Sequence, residues 1–231
     1  MLRLEALRIS RPGFDLTADL SIPKGTRTAI IGPSGAGKST LLAAISGFQP
    51  LAQGRITWDG QDLAQIPPGH RPLSILFQDN NLFPHLTAEE NIGLALRPSL
   101  RLTTGERQKV RAALARVGLE GLEQRRPAQL SGGQQSRIAL ARALLRARPL
   151  LLLDEPFAAL GPGLRLEMLD LVREITMETG ATLLMVSHEP TDARRIADLT
   201  ILVSEGTAEP PKSTLELFAD PPPALRAYLG N

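Results

Sequence analysis

The segment Gly32-Pro-Ser-Gly-Ala-Gly-Lys-Ser39 decides the fold class of this chain of 231 residues. A short apolar strand is predicted just before it, at Thr28–Ile31, and a helix just after it, from about Lys38 to Ser46. Glycines let backbone N–H groups converge on phosphate oxygens, and the N-terminus of the helix favours negative charge. A glycine-rich turn before an ordinary helix is the plainer alternative, but the strand–loop–helix context favours a site for nucleotide phosphates.

The side chains of Lys38 and Ser39 carry the chemistry of this loop. The Lys38 ammonium is expected to contact the β and γ phosphates and to stabilise charge during catalysis, whereas the Ser39 hydroxyl is a candidate Mg²⁺ ligand. The predicted ATP-binding residues of the loop and the first helical turn are Gly32, Pro33, Ser34, Gly35, Ala36, Gly37, Lys38, Ser39 and Thr40.

Two acidic residues follow a second apolar strand, Leu150–Leu153. Ligands of open α/β sheets bind at the carboxyl ends of the strands, which is where Asp154 and Glu155 are expected to lie. Asp154 is the candidate Mg²⁺ partner, and Glu155 is the candidate catalytic residue that polarises the attacking water. Acids at a strand end are often plain loop residues or helix caps. The phosphate loop elsewhere in the chain favours the catalytic interpretation.

Outward from the loop, strands alternate with helices, which predicts an α/β fold with a mostly parallel sheet and helices on both faces. Near the N-terminus, alternating apolar residues predict a strand that contains Leu2, Leu4 and Ala6, and a second strand from Phe14 to Leu20. Another strand, Gly54–Trp58, ends in an Asp-Gly turn. We therefore expect an antiparallel β part in the N-terminal region beside the parallel sheet.

A helical block at about residues 87–148 interrupts this alternation. Pro98 and Gly105 are expected to separate a first helix from a second one. The block is too long for a single crossover connection, so it is interpreted as a helical subdomain inserted into one domain that spans residues 1–231.

Composition limits the classes of function. A net charge of +2 gives no case for a nucleic acid partner, and the absence of cysteine excludes disulfides and thiolate metal sites. The sequence has no signal-peptide pattern and no apolar stretch long enough to span a membrane, so a membrane role requires a partner. The proline-rich tail, with Pro210, Pro211 and Pro221 to Pro223, is expected to be a packed or loose surface extension with little functional information.

The segment Leu130-Ser-Gly-Gly-Gln134 lies between the phosphate loop and the acidic pair. Ser131 and Gln134 alone fit a capping box that begins an ordinary helix. The order of the three motifs, however, resembles that of ABC ATPases. This resemblance implies that a second copy of the chain completes the site, with four residues contacting the γ-phosphate bound by the other copy: Ser131, Gly132, Gly133 and Gln134.

Two further positions resemble functional residues of the same family. Gln78 follows a predicted strand, Ser74–Phe77, and is similar to a glutamine that ligates Mg²⁺ or water and communicates with the transmembrane partner. His188 follows the predicted strand Ala181–Val186 and resembles the catalytic histidine that senses the γ-phosphate. Alone, either residue would be an ordinary surface or structural side chain.

The resemblance implies an ATP-hydrolysing subunit of an ABC importer that uses ATP and Mg²⁺. Within the family, the block at residues 76–87 is most similar to the ATP-binding subunits of bacterial thiamine importers. The implied partners are a second copy, a transmembrane permease and, indirectly, a periplasmic substrate-binding protein, with no nucleic acid. The implied location is peripheral, on the cytoplasmic side of the inner membrane. The alternative is a soluble ABC ATPase outside transport, with a regulatory or binding role.

Two positions depart from the family pattern. Gly161 stands where the family usually has an aspartate that contacts the opposite phosphate loop, which predicts weaker coordination between the two sites. Arg11 stands where an aromatic residue often stacks on adenine, and its guanidinium plane is predicted to take that role. Phe14 is expected to be a core residue because it continues the alternating pattern of its strand.

Overall fold

The computed structural model describes residues 1–229; Gly230 and Asn231, which the predicted domain includes, lie outside the described residues. The strands are β1 (Leu2–Arg11), β2 (Phe14–Ile22), β3 (Arg27–Ile31), β4 (Gln53–Trp58), β5 (Gln61–Asp62), β6 (Leu73–Leu76), β7 (Leu150–Asp154), β8 (Thr182–Val186), β9 (Leu199–Ser204), β10 (Thr207–Ala208) and β11 (Lys212–Ser213). The helices are α1 (Lys38–Ser46), α2 (Ala88–Gly93), α3 (Thr104–Arg116), α4 (Gly132–Leu145), α5 (Pro162–Thr179), α6 (Pro190–Ile196), α7 (Thr214–Ala219) and α8 (Pro223–Leu229).

The strands form one mixed sheet in the order β5-β4-β1-β2-β10-β9-β3-β8-β7-β6, with β11 paired to β9. Strands β9, β3, β8, β7 and β6 run parallel, and they are nearly continuous apolar runs because helices cover both of their faces. Strands β1, β2, β4 and β5 pair antiparallel. The predicted α/β fold with an N-terminal antiparallel part is confirmed.

The predicted inward position of Ala6 is wrong. The pairing of β1 shifts between Leu4 and Leu7, and Ala6 sits in this bulge with a φ of 44° and an exposed side chain. A bulge inserts one extra residue, so the buried face continues at Leu7 and Ile9 instead of at even-numbered positions. A bulge leaves little trace in a pattern of apolar residues.

Helices α2, α3 and α4 share an apolar cluster of their own around Ile92, Val110, Leu114 and Ile138. The prediction that Gly105 lies between two helices is wrong. Helix α3 begins at Thr104 because the Thr103 side chain caps it, and Gly105 lies within its first turn. Within residues 1–229, no helix is both long and apolar enough to cross a membrane.

The segment after residue 190 contains more structure than the sequence analysis predicts. Strand β9 lies beside β3 in the centre of the sheet, and its neighbours β10 and β11 are only two residues long each. Helix α8 includes a fully buried Leu225, which belongs to an apolar cluster with residues of β3 and β9. The proline-rich tail therefore folds onto the core of the domain.

Candidate functional site

The candidate site lies at the carboxyl edge of the parallel strands. Ile30 of β3 and Asp154 of β7 are both in register with Val186 of β8, so the residues that follow these three strands leave the sheet at the same edge. This register brings together the phosphate loop, the pair Asp154–Glu155 and the loop that carries His188. Three segments far apart in the sequence thus meet because parallel strands share one direction.

Positive φ angles and closely packed neighbouring atoms explain two glycines of the phosphate loop. Gly32 has a φ of 145°, and a Cβ there would lie 2.0 Å from the backbone oxygen of Val203. Gly37 has a φ of 105° at the N-terminus of α1, and a Cβ there would lie 2.7 Å from the ring of Phe14. A side chain at either position would be strained and would collide with a neighbour. The loop therefore presents bare backbone to its ligand.

Lys38 is almost completely buried within this loop. Its ammonium donates hydrogen bonds of 2.8 Å to the carbonyls of Gly32 and Pro33. Burial lowers the pKa of Lys38, although the nearby carboxylates of Glu155 and Asp154 oppose this change. The ammonium is thus placed at the loop centre with weak neutral partners, which phosphate oxygens of a nucleotide can replace.

The Ser39 hydroxyl donates a hydrogen bond of 2.9 Å to Oδ1 of Asp154. Burial raises the pKa of the Asp154 carboxyl, whereas the hydrogen bond from Ser39 acts in the opposite direction. Within residues 1–229, no cluster of three histidine or carboxylate side chains forms an all-protein metal site. One carboxylate and one hydroxyl fit Mg²⁺, which keeps several waters and takes its other ligands from nucleotide phosphates.

Glu155 and His188 are in direct contact, with Nε2 of His188 2.5 Å from Oε1 of Glu155. Glu155 has a φ of 48°, a left-handed conformation that is uncommon for residues other than glycine, and its backbone N–H donates to the carbonyl of Val186. Strained backbone of this kind is concentrated at functional sites. A largely buried carboxylate paired with an imidazole can orient a water molecule and accept its proton.

The loop that carries His188 is held by a network that sequence reasoning missed. Ser187 donates a hydrogen bond of 2.6 Å to Asp192, a buried carboxylate at the start of α6. Asp192 also accepts hydrogen bonds from the guanidinium of Arg165, at 2.6 and 2.9 Å. These partners lie 22 and 27 residues apart from Arg165 in the sequence. No spacing or motif in a single sequence signals such a contact.

Residues Ser131 to Gln134 form the predicted capping box at the start of α4. The Ser131 hydroxyl accepts from the backbone of Gln134, and the Gln134 side chain accepts from the backbone of Ser131. A Cβ on Gly133 would lie 2.9 Å from Leu160, whereas one on Gly132 would meet no atom within 4 Å. Among the described residues, no hydrogen bond joins this turn to the phosphate loop of the same chain.

Gln78 and Arg11 are less closely tied to the site. Leu76 of β6 is in register with Leu153 of β7, so Gln78, which is exposed, leaves the sheet at the same edge as Glu155. Arg11 is exposed at the end of β1. Phe14 is half-buried and packs partly against the core, with its ring edge at Gly37. The ring of Phe14 is therefore both a core element and a neighbour of the phosphate loop.

Comparisons with known proteins identify the family of this chain. The sequence profile of the ABC transporter family matches residues 17–158. Two relatives named thiamine import ATP-binding protein ThiQ, from Cereibacter sphaeroides and Ruegeria sp., are 63% and 62% identical over 230 residues, with 100% of both chains covered. A dimeric post-hydrolysis state of the ATP-binding cassette MJ0796 bound to ADP and Pi has a TM-score of 0.82 at 30% identity, covering 93% of this chain and 99% of that one. The chain therefore belongs to the ABC transporter family.

Proposed function

We propose that this chain is the ATP-hydrolysing subunit of an ABC importer for thiamine or its phosphates. It works as one domain over residues 1–231, with a helical subdomain at about residues 87–148. It binds ATP and Mg²⁺, pairs with a second copy and drives a transmembrane permease from the cytoplasmic side of the inner membrane. A periplasmic substrate-binding protein delivers the solute to the permease. Full-length identity of 63% to a thiamine import ATP-binding protein supports the solute.

The contact between Glu155 and His188 is the observation that carries the hydrolytic function. Glu155 accepts a proton from the attacking water as its oxygen bonds to the γ-phosphorus and the bond to ADP breaks. His188 orients the Glu155 carboxylate and donates to the γ-phosphate, while Lys38 offsets the charge on the phosphates. Ser39, Asp154 and Gln78 would hold Mg²⁺, which would offset negative charge on the phosphates during the reaction.

Glu155→Gln tests this mechanism because it keeps the shape of the side chain but removes the base. We expect turnover to fall by about 100-fold or more, and the variant to accumulate as a dimer with ATP and Mg²⁺ in size-exclusion chromatography. Asp170→Asn, which neutralises an exposed carboxylate of α5, is the control and should keep parental turnover. Parental turnover in Glu155→Gln would refute the assigned role.

The Ser131–Gln134 turn supports the dimer. Within the described residues it makes no hydrogen bond to the phosphate loop of its own chain, and a Cβ on Gly132 would meet no atom within 4 Å. A helix N-terminus of this kind is a good site for the γ-phosphate bound by a second copy. Ser131→Arg in the Glu155→Gln background should abolish the ATP-dependent dimer without abolishing ATP binding. A dimer that persists in this double variant would contradict the arrangement.

A groove beside Gln78 is the proposed contact for the permease. It has a volume of about 290 Å³ and is lined by apolar, polar and basic residues of β6, of the loop after β6, of the turn after α2 and of the C-terminal part of α4. Phe83 lines this groove and is 47% exposed, so its ring is accessible to a partner. Phe83→Ser should uncouple the subunit, so that ATP hydrolysis continues and permease binding falls. Leu215→Ser, at an 84% exposed position on α7, is the control.

Reconstitution with a permease and a thiamine-binding protein in vesicles tests the solute. ATP-dependent uptake of labelled thiamine by the parent, and none by Glu155→Gln, is the expected result. ATP hydrolysis without binding to any permease would instead favour a soluble regulatory ATPase of the same family.

A further inference from the structure

The C-terminal helix α8 contacts the loop that carries the candidate catalytic histidine. Leu225 anchors α8 in an apolar cluster with Ala29 and Ile31 of β3, and Tyr228 packs partly against the same cluster. The Tyr228 hydroxyl donates a hydrogen bond of 2.5 Å to the backbone carbonyl of His188, across 40 residues of sequence. A helix from the proline-rich tail thus reaches the catalytic edge of the sheet.

The loop around His188 is held on its other side by the network of Ser187. The Ser187 hydroxyl accepts from the backbone N–H of Glu189 and donates to Asp192, so the residues on both sides of His188 are tied to α6. The hydrogen bond from Tyr228 holds the carbonyl of the peptide group that joins His188 to Glu189, the same group whose N–H is bound by Ser187. The backbone is therefore restrained from two independent elements, α6 and α8.

Restraint of this peptide matters because the two side chains in contact differ in burial. Only 12% of the Glu155 side chain is exposed, so packing holds it, whereas the His188 side chain is 43% exposed. A half-exposed imidazole has few packing contacts that would select one orientation. Its 2.5 Å contact with Glu155 then depends on where the backbone of residue 188 is placed. Small displacements of catalytic groups lower the rate of the chemical step strongly, because correct orientation accounts for a large part of the reduction in the activation barrier.

We propose that Tyr228 is a positioning residue for ATP hydrolysis, which acts by holding the backbone of His188 so that the imidazole stays on Glu155. This inference rests on the hydrolytic roles of Glu155 and His188 in the proposed function. Tyr228 does not touch the reacting atoms. Burial raises the pKa of Tyr228, aided by the carboxylates of Glu189 and Glu155, so the phenol remains a donor at neutral pH.

Tyr228→Phe is the sharpest test, because it removes the hydroxyl and keeps the ring that packs against the cluster. One hydrogen bond contributes about 0.5 to 1.5 kcal/mol, which predicts a decrease in kcat of about three- to tenfold. The KM for ATP should stay within about twofold, because the phosphate loop is untouched. Arg226→Gln on the same helix, where the guanidinium bonds to Pro221 and Asp220, is the control and should keep parental turnover.

A double-mutant cycle distinguishes positioning from general support of the fold. In a His188→Ala background, Tyr228→Phe should cause no further decrease in kcat, because the side chain that it positions is absent. An equal decrease in both backgrounds, or parental kcat in the single variant, would overturn the proposal. If His188→Ala itself keeps parental kcat, the role of His188 in the proposed function fails instead. Thermal unfolding of each variant, with the midpoint of Tyr228→Phe expected close to that of the parent, excludes loss of folded protein as the cause.

Discussion

Ser39 and Asp154 are joined by a direct hydrogen bond of 2.9 Å, although 115 residues separate them in the sequence. The hydroxyl comes from the first turn of α1 and the carboxylate from the end of β7. Asp154 is 7% exposed, so little water is available to solvate its negative charge. A carboxylate kept in this way costs stability in the absence of a cation, which is typical of a site prepared for a metal ion.

Asp154→Asn should stabilise the nucleotide-free protein at neutral pH, because it removes a buried charge and keeps an oxygen that accepts from Ser39. Burial raises the folded pKa of Asp154 above its usual 3.8, so the folded state holds this proton to higher pH than the unfolded state does. The parent therefore loses stability from this group as pH rises between those two pKa values, and regains it on acidification. Asp154→Asn has no titrating carboxyl at this position, so its stability lacks this dependence on pH.

Urea unfolding between about pH 7 and pH 4 measures this difference. The stability advantage of Asp154→Asn should be largest at neutral pH and should shrink towards pH 4. ATP hydrolysis with Mg²⁺ should fall by about 100-fold or more, since the proposed metal ligand is lost. A variant that is less stable than the parent at neutral pH would contradict the expected cost of the charge.

Gly161→Asp should change coordination between sites rather than stability. Gly161 is the N-cap of α5, with a φ of −65°, and a Cβ there meets no atom within 4 Å. Aspartate is a favourable N-cap, so the free energy of unfolding should change by only a few tenths of a kcal/mol. We expect greater cooperativity of ATP hydrolysis with respect to ATP. Gly163→Asp, which adds the same charge to the same helix end, should leave cooperativity unchanged; identical curves for both variants and the parent would refute the prediction.

Arg165→Ala should destabilise the protein by about 2 to 4 kcal/mol, because it leaves the buried carboxylate of Asp192 without its cation. Arg195→Ala removes a similar pair with Asp170 whose side chains are 40% and 52% exposed, and it should cost much less stability because solvent screens the pair. Chemical denaturation compares the two. Equal losses would mean that burial of the first pair has no energetic consequence.

Arg11→Ala should weaken ATP binding by about two- to fivefold, because an exposed cation–π contact contributes roughly 0.5 to 1 kcal/mol. Titration calorimetry with ATP measures this, and Arg3→Ala at the other end of β1 is the control. Phe14→Leu is the decisive comparison, since the Phe14 ring lies at Gly37. Unchanged affinity in Arg11→Ala with a loss in Phe14→Leu would assign the adenine contact to Phe14.

The sequence was sufficient to predict those helices and turns that are set by residues close together in the chain. Helix α1 has the predicted bounds, Lys38 to Ser46, because a glycine precedes it and Gly47 follows it in a left-handed conformation. The turn at Asp59 and Gly60 also forms as predicted, with φ values of 53° and 82°. In contrast, the bulge at Ala6 depends on pairing with two neighbouring strands, which apolar alternation does not encode.

By itself, the sequence determined the chemistry of the candidate site: the phosphate loop, the acidic pair after an apolar strand and the candidate histidine. Each depends on a residue type at a defined position relative to a strand end, and such local relationships can be predicted from spacing. Only the tertiary structure decided how these groups are supported. The contacts of Tyr228 with His188 and of Arg165 with Asp192 join residues 40 and 27 positions apart. They exist because α8 packs against β3 and β9 and because α6 packs against β3 and α5, and that packing is set by the whole core.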